Sequence, residues 1–189
     1  DQKTVEYQKT FADVLGKYPE LTLNEFERIQ QAAISAYLKT KFESLKAYPE
    51  VKETLVKIKA KGILIGVVSD GPRNKAWQRL VITGLDNMFD VVITNQDTLK
   101  FKPDPAPFLL FLKQANELMA KQGKTCIKPE EVLFVGDNQE RDTKGAKSVG
   151  MKTALAEYGW VLNKDSKEKA DFILKKFKDI IILDSENGR

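Results

Sequence analysis

From Ile63 onward, short apolar runs rich in β-branched residues alternate with stretches of helical spacing, and each run ends in a turn of Gly, Ser, Asn or Asp. This rhythm constrains the fold more than any other feature. Residues 63–68 form one continuous apolar run, the pattern of a strand buried on both faces. Helix is then predicted over 73–81, strand over 91–94, helix over 105–119, strand over 132–135, helix over 143–149 and strand over 153–156. Strands alternating with helices imply a parallel sheet covered on both faces. Right-handed crossovers place the strand exits along one edge, which would gather Ser69-Asp70-Gly71, Asn95 and Asp137.

The first part of the chain reads differently. Phe11, Val14, Leu15 and Tyr18 are spaced for one helical face, and Phe26, Ile29, Ala33 and Tyr37 for another. Thr22 and Glu25 have the spacing of a capping box, which fixes the start of the second helix. Pro49 fits the first turn of a third helix carrying Val51, Leu55 and Ile58 and closed by Gly62. The expected division is a helical segment over 1–47 and an α/β core over 48–189.

Several classes of chemistry are excluded. With one cysteine, Cys126, and no histidine, the chain can form no internal disulfide, no usual zinc site and no His-based triad. Catalysis would have to use carboxylates, Lys, Ser/Thr, Tyr or that cysteine. The length of 189 residues is enough for a substantial core. No apolar run is long enough to span a membrane and nothing resembles a signal peptide, so a cytoplasmic location is expected, with no membrane partner. The net charge of +4 arises from 31 basic and 27 acidic residues mixed along the chain. That mixture reads as a solvated surface and not as a face for nucleic acid. Oligomeric state is not legible.

The run Glu131-Val-Leu-Phe-Val-Gly-Asp137-Asn-Gln-Glu-Arg-Asp142 carries the most chemistry. An apolar strand empties into a Gly-Asp turn, with a second Asp five residues on. Carboxylates leaving a buried parallel strand sit in the crevice where open α/β sheets bind ligands. A hard cation such as Mg²⁺ favours one or two carboxylates together with waters and substrate phosphate, which suits Asp137. Equally, Asp at such a turn can cap the next helix. The residues of this turn alone leave both readings open.

Two further segments precede it: the strand exit Ser69-Asp70-Gly71, and Phe101-Lys102-Pro103-Asp104-Pro105-Ala106-Pro107-Phe108. In this order the three resemble the second, third and fourth motifs of the haloacid dehalogenase superfamily, in its phosphatase-like branch with a small helical cap. The resemblance covers roughly residues 48–159. It implies a Rossmann-like three-layer α/β/α core with a parallel sheet, plus an α-helical cap whose residues select the substrate. It also implies Mg²⁺-dependent hydrolysis of a small phosphorylated metabolite through an aspartyl-phosphate intermediate. Ser69, with the backbone at Asp70 and Gly71, would bind the phosphoryl group. Lys102, held extended by Pro103 and Pro105, would offset charge on the phosphate. Asp137 would bind the metal, and Asp142 would bind it less directly or orient Lys102. Asn138 is a candidate for the metal's water shell. Arg73 and Trp77 lie near the Ser69 turn, although the spacing of Trp77 from Leu80 and Val81 suits a core residue better.

The family's first motif, an apolar strand ending in Asp-x-Asp, supplies the nucleophile and acid/base, and it does not occur here ahead of the cap-like helices. In the family this strand is central, in the order 3-2-1-4-5. Three explanations stay open. The first places the strand upstream of residue 1, because its loss would orphan the backbone groups of two buried strands. The apolar run 179–183 could supply it by circular permutation, with Asp184 and Glu186 as the acids; against this, 172–174 reads as a last edge strand and 177–183 as a closing helix. Finally, the nucleophile may be lost, leaving a catalytically silent module that binds a phospho-ligand or protein. A 2-haloacid dehalogenase-type hydrolase fits less well, since its metal-free chemistry does not call for the Asp137/Asp142 pair.

Overall fold

A computed structural model describes residues 7–159 and 166–186, with side chains over 10–159 and 166–183. It divides into two compact units, Asp1–Lys46 and Ala47–Arg189. The first contains α1 (Tyr7–Leu15) and α2 (Leu23–Ser44). The Thr22 capping box opens α2: the Glu25 N–H donates to Thr22 Oγ1 at 3.3 Å, and the Thr22 N–H donates to Glu25 Oε2 at 3.0 Å. Phe11 meets Tyr37 edge-on, with ring centroids 6.3 Å apart. Val14 and Tyr18 are exposed, contrary to their expected place on an apolar face. The reason for Tyr18 is that α1 ends at Leu15, so helical spacing no longer governs its direction.

In the second unit, α3 (Val51–Ala60) starts one residue after Glu50, which takes a left-handed conformation at φ 63°. Pro49 therefore precedes the helix instead of occupying its first turn. Gly62, at φ 73°, closes it in a left-handed conformation that favours glycine. Next comes β1, which covers only Gly66–Val68 of the six-residue apolar run. Its start is held by a side chain: the Ile65 N–H donates to Asp90 Oδ2 at 2.9 Å, while the Asp90 N–H donates to the Ile65 carbonyl at 2.8 Å.

Alternate residues of this run pack on opposite sides, as a period of two requires. Leu64 and Val68 join a cluster with Val91, Ile93, Phe108, Phe111, Leu112 and Ala115, whereas Ile65 joins Val51, Leu55 and Leu85. Apolar clusters on both faces of a parallel sheet are what a Rossmann-like α/β core demands. The first cluster is built largely on α6 (Ala106–Lys121), which follows α4 (Arg73–Ile82), β2 (Val91–Ile93) and the short α5 (Asn95–Thr98). Close packing here depends on Gly66, because a Cβ at that position would lie 2.1 Å from the Phe111 ring.

Strand pairing divides the sheet in two. β1 pairs in parallel with β2, Val67 opposite Val92. Separately, β3 (Leu133–Gly136), β4 (Lys152–Ala156) and β5 (Phe172–Leu174) form a parallel set in that order. Among the described residues no strand joins β1 to β3. Between them lies a cavity of about 1030 Å³, whose lining includes Leu64, Val67, Phe111, Leu133, Phe134 and Asp137. This explains why β1 and β3 are only half-buried and not enclosed on both faces. At the end of the unit a 3₁₀ turn (Phe177–Asp179) leads into α8 (Ile180–Glu186). The run 179–183 is thus turn and helix, which removes the basis for a permuted nucleophile strand.

The packing separates core from edge sharply. Phe108 is wholly buried and meets Phe134 edge-on at 5.0 Å. Phe108→Ala should cost about 3–5 kcal/mol in urea unfolding. Ile173, 60% exposed on β5, should cost below about 0.5 kcal/mol when changed to Ala, as exposed sites generally do. Similar losses for both variants would contradict this division.

Candidate functional site

The exit of β3 is shaped by a close approach. A Cβ on Gly136 would lie 2.4–2.5 Å from the Asp142 side chain, so glycine here makes room for that carboxylate. The next helix begins earlier than the spacing predicts. A π-type turn over Gln139–Thr143 leads into α7 (Lys144–Ser148). Its cap is Asn138, whose Oδ1 accepts the Arg141 N–H at 3.2 Å, while its carbonyl accepts the Asp142 N–H at 2.7 Å. The capping role therefore falls to Asn138, and the Asp137 carboxylate is not spent on it.

Asp142 is buried and committed. Its Oδ2 accepts the Asn138 N–H at 3.1 Å, and its Oδ1 lies 2.7 Å from Lys102 Nζ. Lys102 also donates from Nζ to the Val68 carbonyl at 3.1 Å, and its ammonium lies 5.5 Å from the centre of the Phe134 ring. The segment carrying it is a turn and not the extended chain expected from its prolines. The Lys102–Pro103 peptide is cis, the Asp104 N–H reaches back to the Phe101 carbonyl at 3.0 Å, and Pro105 is in the helical region. This turn rests on α7, where a Cβ on Gly145 would come within 2.4 Å of Phe108 and 3.1 Å of Pro103 Cα.

At the exit of β1, Ser69 forms a tight turn. Its Oγ accepts the Gly71 N–H at 3.1 Å. One of the backbone donors expected for a phosphate is thus already engaged, while the Ser69 hydroxyl proton remains available to donate. The Asp70 side chain points into the protein's own contacts: Oδ1 accepts the Lys102 N–H at 2.8 Å, and Oδ2 pairs with the Arg141 guanidinium. Arg141 is the participant that pattern reading missed. Its single signal was adjacency to Asp142, which does not reveal a partner seventy-one positions away.

Other candidates fall outside this group. Arg73 pairs with Asp97, and its N–H donates to Gln96 Oε1 at 2.9 Å. Trp77 is exposed, not core, because α4 turns Ala76 inward. Asn95 begins α5, whose cap is the reciprocal pair Thr94 and Asp97.

Among the described residues Asp137 has no basic partner at ion-pair distance, whereas Asp142 is paired with Lys102. Burial raises its pKa above the usual aspartate value, and the neighbouring Asp142 charge raises it further; a backbone hydrogen bond and Lys102 offset only part of this. Gly159 lies close against it, where a Cβ would be 3.1 Å from Asp137 Cβ. Beside it, the Tyr158 hydroxyl is pushed up to about 12, mainly by burial, with Tyr48 and Asp137 adding to the effect. No cluster of three or more metal-ligating side chains occurs among the described residues. A half-buried, uncompensated carboxylate with room beside it nevertheless fits a cation held by few protein ligands. Asp142, held by Lys102, is less free to bind one.

Comparison with known proteins shows the family. Residues 5–156 match the family described as haloacid dehalogenase-like hydrolase. A glyceraldehyde 3-phosphate phosphatase of Pyrococcus furiosus is 35% identical over 161 residues, covering 83% of this chain and 62% of that protein. The pyrophosphatase PpaX of Bacillus anthracis is 34% identical over 150 residues, covering 78% of the chain and 63% of its own length. The chain therefore spans about three-fifths of these relatives. Among solved structures, a predicted phosphoglycolate phosphatase from Haemophilus somnus aligns with a TM-score of 0.66 at 30% identity, over 94% of this chain and 75% of that one. With a parallel α/β core, the three motif segments in order and a match across most of its length, the chain belongs to the haloacid dehalogenase-like hydrolase family.

Proposed function

We propose that this chain forms the phosphate- and metal-binding part of a Mg²⁺-dependent phosphatase acting on a small phosphorylated metabolite. The observation that carries this reading is the pairing of a fixed cation with an unspent anion. The Lys102 ammonium is held 2.7 Å from Asp142 at the strand exits, while Asp137 stands beside them without a basic partner. The relatives named as phosphatases of glyceraldehyde 3-phosphate and as a pyrophosphatase support a small phosphoester substrate. The geometry does not choose among sugar, triose and nucleoside phosphates.

In this proposal Asp137 holds Mg²⁺, and Asp142 orients Lys102. Bound there, the metal would neutralise charge on the transferring phosphoryl group. Lys102 would offset the remaining charge, and the Ser69 hydroxyl would donate to a phosphoryl oxygen. The nucleophile is the piece this chain does not display. We assign it to a strand ending in Asp-x-Asp, seated between β1 and β3. The apolar cavity of about 1030 Å³ and the unshared edges of both strands support that place. Such a strand would supply backbone partners on both sides and deliver its terminal carboxylates next to Asp137 and Lys102.

Turnover of an aryl phosphate by this chain joined to such a strand tests the proposal. Activity should require Mg²⁺, and Lys102→Met should lower kcat/KM at least about a hundredfold, the scale of losing one transition-state donor. Turnover indifferent to Mg²⁺ and to Lys102 would refute it; absence of turnover with phosphate binding retained would favour a silent phospho-ligand module.

A second test concerns Asp137 alone. Its raised pKa means that ionisation opposes folding: the penalty is absent below the unfolded value of about 3.9 and complete above the folded one. In chelator near neutral pH, Asp137→Asn should therefore be more stable than the wild type, by less than about 1 kcal/mol because the site is half exposed. This gain should vanish in acid. Added Mg²⁺ should raise the melting temperature of the wild type and not of the variant; equal responses would exclude Asp137 as the ligand.

A further inference from the structure

We infer that Asp70 and Arg141 are positioning residues that fix Lys102 in place through a closed ring of contacts. The ring can be traced atom by atom. Lys102 Nζ meets Asp142 Oδ1 at 2.7 Å. Asp142 is joined by its peptide bond to Arg141, whose guanidinium pairs with Asp70 Oδ2. The other oxygen, Asp70 Oδ1, accepts the Lys102 N–H at 2.8 Å. Lys102 is thereby held at both ends, by its backbone and by the tip of its side chain.

The physical consequence is a loss of freedom at a residue that would otherwise have much of it. A lysine side chain has many rotamers to lose, so an ammonium held at its tip alone can still shift as the backbone moves. The Asp70 carboxylate, 13% exposed, removes that backbone freedom, and Arg141 holds the carboxylate. The ring also connects three loops that no strand connects: the exit of β1, the turn at 101–105 and the exit of β3. It therefore spans the two halves of the sheet at their ligand-binding ends. A carboxylate directed at a bound phosphate would repel it; here Asp70 is turned away into this ring, which makes its role indirect.

This inference rests on the reading of Lys102 as a phosphate-binding group, but its test does not depend on turnover. Amide hydrogen exchange would be measured by NMR at Lys102, with Ala154 in β4 and Ala115 in α6 as controls. Arg141→Met should accelerate exchange at Lys102 about tenfold while leaving both controls unchanged, since local opening can be separated from global unfolding. Arg141→Lys, which keeps a cation, should recover most of the protection. Asp70→Asn, which keeps an acceptor for the Lys102 N–H, should fall between them. Unchanged exchange at Lys102 in Arg141→Met, or equal acceleration at all three amides, would overturn the positioning role. Titration of inorganic phosphate into the same proteins separates the two ideas: absence of binding to the wild type would reject the phosphate site, while the exchange pattern still decides the ring.

Discussion

The ion pair between Lys102 and Asp142 is the contact on which the rest of the site depends. Both partners are largely withdrawn from water, with side-chain exposures of 12% and 9%. At such burial an unpaired charge is costly, so each residue holds the other in one place. The surrounding structure meets the needs of this pair. Gly136 leaves space for the Asp142 side chain, the Asn138 N–H satisfies its second oxygen, and Gly145 lets the turn bearing Lys102 settle against α7. A fixed arrangement of charge follows from these local accommodations.

The second constraint is the divided sheet. β1 and β3 lead into the loops that carry Ser69 and Asp137, yet among the described residues each pairs on one side only. The apolar lining of the space between them, including Leu64, Val67, Leu133 and Phe134, is costly to leave against water. A parallel strand would satisfy the free edges and cover the apolar surface together. The polar contacts that cross the gap lie at the carboxyl ends of the strands: Lys102 Nζ bridges the Val68 carbonyl and Asp142, and Arg141 pairs with Asp70. The strand-exit end of the core is thus tied together by side chains, while its centre has no shared ladder among the described residues.

Much of this was legible in the sequence, and the exceptions have physical causes. The alternation of apolar runs and helical stretches specified the parallel core because burial sets the period of each element. Gly62 and the Thr22–Glu25 box marked helix ends because their chemistry is local. The length of β1 was not legible, since the run 63–68 is apolar throughout and only the absence of a second ladder partner shortens the strand. Nor was the turn at Lys102, where two prolines suggested extension but the chain folds back on Phe101. The order of their motifs singled out Lys102, Asp137 and Asp142, and the fold brings the first and last of these to 2.7 Å. Asp70 was grouped with phosphate binders by proximity to Ser69, and Arg141 was overlooked, because both depend on a pairing between residues distant in sequence.

The coupling free energy between Lys102 and Asp142 tests the account most directly. It can be measured by a double-mutant cycle in urea with Lys102→Met, Asp142→Asn and the combined variant. Each single change should cost about 3–5 kcal/mol by leaving a buried charge unpaired. The double change should cost less than the sum by more than about 1.5 kcal/mol, as for residues sharing one network. Additive losses within about 0.5 kcal/mol would mean that the pair is not coupled, and would contradict its place at the centre of the site.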